Sequence, residues 1–325
     1  MIRNPRAGIA SALSPGGGAA DAIAALLERH GVVAEVVEPG DEAEARAAVR
    51  RAVSEGIDVV VAAGGDGTVH LVAEGLIGTD VALGVVPLGR VMNVARSLGI
   101  GRDVEAAADI LAARHIRAID VGEARTGDGR TVHFLEAGSV GLNAAIFREV
   151  ARVDRGDLRS IAGTIWVALR YRPARMSIEL DEGLIRTRAL MVTVSVGPYI
   201  GLGMTVAPDA RLDDGRFDLH VFRRFSKLEL LRHLASIAFG RRRYAAQVSS
   251  YRSANVRVSC ARPLPARADS LDLGSTPVVF WTLPGALRVV VPRDKLASEM
   301  AAPAERNPQA AGGGSSGSAS GRRRM

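Results

Sequence analysis

Cysteine is nearly absent from the 325 residues, with Cys260 as the single example. One thiol excludes an intramolecular disulfide framework and any multi-cysteine zinc site, and it points to a reducing compartment. Its neighbours Val256 and Val258 mark it as a small core side chain. Lysine is almost as scarce: Lys227 and Lys295 are the only two. Arginine therefore carries the formal charge of +7, spread along the chain as a composition bias, which favours acidic partners such as nucleotides or anionic membranes. Aromatic residues make up only 4% and do not interleave with basic ones. With no helix-turn-helix or zinc-finger spacing either, no nucleic-acid partner is expected. Long apolar runs are missing too. The longest candidate, 76–89, is broken by Asp80 and several glycines, short of the ~18 residues a spanning helix needs. The N-terminus carries Arg3 and Arg6 but no leucine-rich segment, so it does not read as a secretion signal. The expected location is the cytoplasm.

What is present is aliphatic. A hydrophobic share of 47% excludes disorder for the bulk of the chain, and the length predicts about two domains. The first 120 residues alternate between helical periods (19–30, 42–55, 68–76, from 91, and 104–114) and short branched-aliphatic runs (32–37, 57–63 and 81–86). That pattern predicts a parallel sheet covered on both sides, with the chemistry at the carboxyl ends of its strands. From about Ile119 the runs become short, alternating and turn-separated, as in VHFLEAGSV, LIRTRALMVTVSVG and GRFDLHVF. They predict a β-rich second domain, interrupted by helices near 144–174 and 227–239. The expected division is 1–122, 123–296 and a low-complexity tail over 297–325. Trp166 and Trp281 are expected in the core. The helix over 227–239 lines up Leu228, Leu231, Leu234 and Ala238 on one face, flanked by Arg223, Arg224 and Arg241 to Arg243. Such a stripe either packs on a core or rests on an anionic bilayer.

The strongest chemical signal is GGDGT at Gly64, Gly65, Asp66, Gly67 and Thr68, set between a buried run and a helix. Adjacent glycines let the backbone approach a phosphate, and the following helix offers unpaired N–H groups and a positive dipole end. Asp66 repels a phosphate unless a divalent cation bridges the two or the carboxylate handles a hydroxyl proton. Two further glycine loops, NPRAG (Asn4, Pro5, Arg6, Ala7, Gly8) and PLGR (ending at Gly89 and Arg90), fall at the same predicted sheet edge. Together the three could enclose a nucleoside triphosphate. No Walker A or protein-kinase signature is present.

NPRAG, GGDGTVHLVAEGL, PLGRVMNVARSLGI and the later GPYIGLGMTVAPDARLDDGRFDLHVF resemble the diacylglycerol kinase catalytic-domain family, which includes bacterial lipid kinases and sphingosine kinases. The resemblance runs over roughly 2–293. It implies a phosphofructokinase-like, Rossmann-type α/β domain beside a β-sandwich, and an ATP- and Mg-dependent transfer of phosphate to a lipid hydroxyl at a membrane surface. It implies nucleotide contacts from Asn4 to Gly8, from Gly64 to His70 (Val69 included), and at Gly89 and Arg90. It also implies a structural magnesium on Asp214 and on the carbonyls of Arg211 and Arg216. Four positions depart from the family pattern. Arg90 and Val36 replace threonines, Asn143 replaces an aspartate, and Leu271 stands where the family places a general-base glutamate. Asp269 and Asp272 are the nearby carboxylates expected to substitute. Two other readings are a relative that binds nucleotide or lipid without turnover, and an NAD-kinase-like enzyme, which shares GGDGT but has a different second motif.

Overall fold

The computed structural model describes residues 1–4, 19–152, 163, 166–167, 170–201, 203–223 and 248–293. Its first three strands, β1 (Ile2–Arg3), β2 (Val59–Gly64) and β3 (Ala82–Pro87), pair in parallel. β3 is buried along its whole length, as a run apolar on both faces requires. One face is covered by α1 (Ala19–Arg29) and α5 (Val104–Ala113), whose Ile23, Leu27, Ala108 and Leu111 pack on Val61, Ala63, Ala82 and Val86. α2 (Glu42–Ser54) packs on α3 (Asp66–Leu76), with Val49 seated over Gly75. α4 (Asn93–Ser97) follows the third glycine loop. The strand expected over 32–37 is not formed. Val37 alone bridges Ile2, and Val33 is 90% exposed. β1 offers only two residues as a template, too few to organise a longer partner.

The sandwich follows from two places where one apolar run changes sheets. VHFLEAGSV divides into β5 (Thr131–Phe134) and β6 (Ala137–Gly141), and LIRTRALMVTVSVG divides into β8 (Gly183–Ala189) and β9 (Met191–Ser195). β5 joins β4 (Ile116–Arg125), and β8 joins β7 (Ala174–Leu180). With β14 (Asn255–Cys260) and β17 (Val278–Val290), these strands extend the sheet begun by β1 to β3. β6 and β9 enter a second sheet, ordered β13–β12–β9–β6–β15–β16, that adds β12 (Phe217–Phe222), β13 (Val248–Ser253), β15 (Pro265–Ala268) and β16 (Leu271–Ser275). Between the sheets Phe134 stacks on Phe217 at 5.7 Å and meets Phe280 edge-on at 5.9 Å. A Cβ on Gly122 would strike the Phe134 ring, and one on Gly138 the Phe280 ring, so both glycines make room for the aromatic core.

β17 ties the two textures together. Its first residues pair with β14 inside the sandwich, and Val289 pairs with Leu83 of the parallel sheet. β4 runs alongside it antiparallel, with one irregularity between Leu283 and Leu287. Gly122, where the composition changes, lies inside β4, and Met1–Pro292 form one compact unit. Trp166 is corrected from core to surface, at 57% exposed, because it faces outward with Arg170 over its ring. Cys260 is half-buried rather than core. α6 (Leu142–Arg152) forms the start of the helix expected over 144–174. The segment 227–239 with its arginines 224 and 241–243, and the tail over 297–325, lie outside the described residues.

Candidate active site

β2 ends at Gly64 and α3 begins at Asp66, with Gly65 as its extended N-cap. Gly65 has no side chain to cap the helix, so the N–H groups of Asp66 and Gly67 receive no side-chain cap, while Thr68 N donates to Gly65 O at 2.9 Å. The PLGR loop crosses close by: a Cβ on Gly89 would lie 2.6 Å from the Gly65 Cα and 2.6 Å from Met92 Sδ. No larger residue fits at that crossing. Gly67 is different, because a Cβ there would meet nothing within 4 Å. Packing does not require glycine at this position; the bare backbone opens onto a cavity of about 640 Å³. That cavity is lined by Arg3, Asn4, Gly65, Gly67, Thr68 and Gly89, and by Pro39 to Glu42. Its size falls in the range of about 300–1,000 Å³ that suits a nucleotide-sized ligand. Asn4 Nδ2 donates to Thr68 Oγ1 at 3.3 Å, which joins the first loop to the second. Val69 is fully buried, so only its backbone is available to a ligand. Arg90 is exposed beside the cavity, and Pro5, Arg6, Ala7 and Gly8 lie outside the described residues.

Asp66 and His70 leave α3 on the face away from this cavity, one turn apart. Asp66 accepts from Val94 N at 3.3 Å and from the N–H groups of Met92 and Asn93, so its carboxylate caps the start of α4. Burial nevertheless pushes this carboxyl above its ordinary value. Asp269 faces the same helix from the second domain. At the β5–β6 crossing three successive backbone N–H groups lack a strand partner, and all three find Asp269. Leu135 N donates to Oδ2 at 2.8 Å, while Glu136 N and Ala137 N donate to Oδ1 at 3.0 Å. Without Asp269 each of these buried donors would cost about 1–3 kcal/mol. Asp269 holds a left-handed conformation, φ 45°, which aspartate tolerates better than most residues. His70 Nδ1 stands 3.5 Å from Asp269 Oδ2. Burial alone would lower the histidine, but attraction to this carboxylate and to Glu74 prevails and raises it.

Asp272 points elsewhere, as expected for a residue shifted along a strand. Arg148 grips it through Nε at 2.8 Å and Nη2 at 2.7 Å, Gly274 N adds a third bond at 2.8 Å, and together they hold its carboxyl low despite partial burial. Asp214 sits in the turn at Gly215, φ 69°. One oxygen accepts from Arg216 N at 3.1 Å and the other is held by the Arg252 guanidinium. Arg252 also lies 3.6 Å from Asp218. Nearby Asp120 spends both oxygens on Gly215 N and Gly285 N. The Arg252 guanidinium thus engages the carboxylate that the resemblance assigns to magnesium, beside the carbonyls of Arg211 and Arg216.

The sequence reading missed Glu136, Asn93 and Arg267. Glu136 is 8% exposed, and its Oε2 accepts from Asn93 Nδ2 at 2.8 Å. The same amide donates to Gly201 O at 2.8 Å, so one side chain of the first domain clasps two segments of the second. Burial drives the Glu136 carboxyl well above the usual carboxylate range, and the nearby Asp269 and Asp66 push it further. Arg267 is buried on the Phe147 ring, 4.2 Å from its centroid. The available signal was a glutamate in the apolar run HFLEAGSV, where nothing else is charged.

Comparison with known proteins agrees with this arrangement. Residues 1–124 match the diacylglycerol kinase catalytic domain, and residues 137–291 match the YegS C-terminal NAD kinase beta sandwich-like domain. A diacylglycerol kinase of Mycobacterium tuberculosis (strain H37Rv) is 30% identical over 297 residues, covering 90% of this chain and 94% of the relative. One from Bacillus subtilis (strain 168) is 29% identical over 263 residues, covering 78% and 84%. A crystal structure of a diacylglycerol kinase from Bacillus anthracis str. Sterne superposes with a TM-score of 0.66 at 18% identity, over 90% of this chain and 96% of that one, a likeness of fold. With one domain of each kind in the same order and a relative matched over nearly its whole length, the chain belongs to the diacylglycerol kinase catalytic-domain family, a family of phosphotransferases that implies a nucleotide co-substrate.

Proposed function

We propose that the protein is a lipid kinase that moves the γ-phosphoryl group of ATP, supplied as its magnesium complex, to the hydroxyl of a diacylglycerol-like or sphingoid-like lipid. The observation that carries this reading is the bare backbone at Gly67, open to a cavity that Asn4, Thr68 and Gly89 also line. Polyphosphate suits such a place, because helix N–H groups and the α3 dipole meet negative charge without a competing side chain. Magnesium supplies charge neutralisation of the phosphates when bound with the nucleotide. Arg90, exposed and next in the chain to the cavity-lining Gly89, would add a cation able to grip phosphate bidentately. Asp66 orders α4 and thereby the PLGR loop, and Asp269 pins the β5–β6 crossing against α3. Positioning and charge stabilisation account for most phosphoryl-transfer catalysis, and these residues supply positioning.

The acceptor would come from a membrane surface. Among the described residues no helix is long and apolar enough to cross a membrane, and the formal charge of +7 favours contact with anionic lipid. The test is transfer from γ-labelled ATP to mixed-lipid vesicles containing diacylglycerol and sphingoid bases, with magnesium supplied. Label in a lipid phosphate supports the reading. ATP binding without labelled lipid, or label on NAD offered in its place, contradicts it.

A further inference from the structure

Beyond its parallel strands the large sheet turns one face to the sandwich core and the other to solvent. Strand alternation assigns the residues: Met176, Ile178, Val256, Val258 and Phe280 are buried inward, so Arg175, Ser177, Glu179, Arg257, Val279 and Trp281 face outward. Register then sets outward residues side by side. Arg175 lies opposite Arg188 and Ser177 opposite Arg186, while Glu179 falls between Leu184 and Arg257. From Arg257 the row continues through Val279 to Arg125. Arg125, Arg175, Arg186, Arg188 and Arg257 are all exposed, and none of them forms a salt bridge among the described residues. Elsewhere Arg46, Arg51, Arg148 and Arg252 each hold a carboxylate. Of the two glutamates on the face, Glu123 stands 3.5 Å from His133, which leaves Glu179 as the single carboxylate there without an ion pair among the described residues. Apolar surface is set among the cations: Arg125 lies 5.2 Å from the Trp281 ring centroid, and Leu184 is 48% exposed.

We propose that this outer face, from β8 through β7, β14, β17 and β4 to β5, is the surface by which the protein docks on a bilayer of anionic phospholipid; the proposal deepens the lipid-kinase reading and rests on it for what docking serves. Charge complementarity carries it. A face that serves solubility alone mixes both signs, whereas the unpaired charge here is positive but for Glu179. Like charges set directly opposite one another, as at Arg175 and Arg188, repel. A phosphodiester between them removes that repulsion and accepts from both guanidinium groups. At about 4.8 Å per strand the face is roughly 24 Å broad, wide enough to meet several lipid headgroups at once rather than one small anion. Trp281 and Leu184 supply the amphipathic and apolar contacts that suit the headgroup level of a bilayer. Single-stranded nucleic acid fits less well, because Trp281 is the one aromatic residue placed on the face and it is half-buried beside Arg125, so no stacking platform is offered.

The experiment measures co-sedimentation of the full chain, without nucleotide, with vesicles of phosphatidylcholine alone or of phosphatidylcholine and phosphatidylglycerol. The unaltered protein should prefer the anionic vesicles, and added salt should weaken that binding. The triple variant Arg175→Ser, Arg186→Ser, Arg188→Ser should lose affinity about 100-fold and Arg257→Ser alone about fivefold, at about fivefold for each basic residue on an anionic surface. A second triple variant, Arg29→Ser, Arg51→Ser, Arg114→Ser, removes the same charge from arginines that sit beside carboxylates elsewhere, and should change affinity less than about threefold. Equal losses in the two triple variants, no loss in the first, or no binding of the unaltered protein to anionic vesicles overturns the proposal. Tighter binding to single-stranded DNA than to those vesicles overturns it too. Transfer to diacylglycerol in neutral detergent micelles separates docking from catalysis: the first triple variant should match the unaltered protein there, and a loss confined to that variant would refute the docking role. Absence of micellar transfer in the unaltered protein counts against the kinase reading, while the vesicle measurement decides docking independently.

Discussion

Gly67 and Glu136 sit at opposite ends of what a single side chain can do in this molecule. At Gly67 the useful property is having no side chain: the position is helical, and a Cβ would project into open space. Alanine there should improve helix propensity by about 1 kcal/mol, so stability without ligand should hold or rise. Gly67→Ala is therefore expected to keep or raise Tm while weakening ATP–magnesium at least tenfold by calorimetry; loss of Tm with unchanged affinity would mean that glycine serves packing alone. At Glu136 the folded protein raises the carboxyl pKa above its unfolded value of about 4.3. Below that value the group is protonated in both states and imposes no penalty. As pH rises toward the folded pKa, the unfolded state ionises first and stability falls. Glu136→Gln removes this loss, so its Tm should match wild type near pH 4 and exceed it at pH 8. A lower Tm than wild type at pH 8 would show that the anion is stabilised by folding.

The strand β17 is the element on which the architecture turns. Its start belongs to the sandwich and its end to the parallel sheet, and β4 follows it along both parts. Amide hydrogen exchange should find Phe280 and Val289 opening with the same free energy, that of global unfolding. A difference of more than about 2 kcal/mol between them would mean that the two sheets unfold separately. The sequence made the regular elements legible: β2, β3, α2, α3 and α5 follow from buried apolar runs and helical periods, because local pattern and tertiary burial agree there. It did not make the sheet crossings legible. VHFLEAGSV reads as one strand, yet the break at Leu135 and Glu136 depends on Asp269, more than 130 residues away, accepting the N–H groups that no neighbouring strand takes. The strand expected over 32–37 failed for a related reason, since its partner β1 has only two residues and no local pattern records a partner's length.

Taken whole, the protein places a phosphate-suited cavity on one side of α3 and a group of ionisable residues from both domains on the other. The cavity side was largely readable. The glycine loops at Asn4, Gly64 to Thr68 and Gly89 announce themselves by composition, and the fold brings these described residues to one sheet edge. The other side was not. Asn93, Glu136 and Arg267 come from three distant segments, with Asn93 donating to Glu136 and the Arg267 charge acting on the same carboxyl. The Asp214 turn shows the converse case, in which a legible motif is met in space by Arg252, a residue whose approach no spacing rule foretells. The account stands or falls on the cavity at Gly67 being a nucleotide site. Its most direct measurement is isothermal titration of ATP with magnesium into the unaltered protein. The account predicts one saturable site per chain that Gly67→Ala weakens; absence of saturable binding at millimolar nucleotide would contradict it.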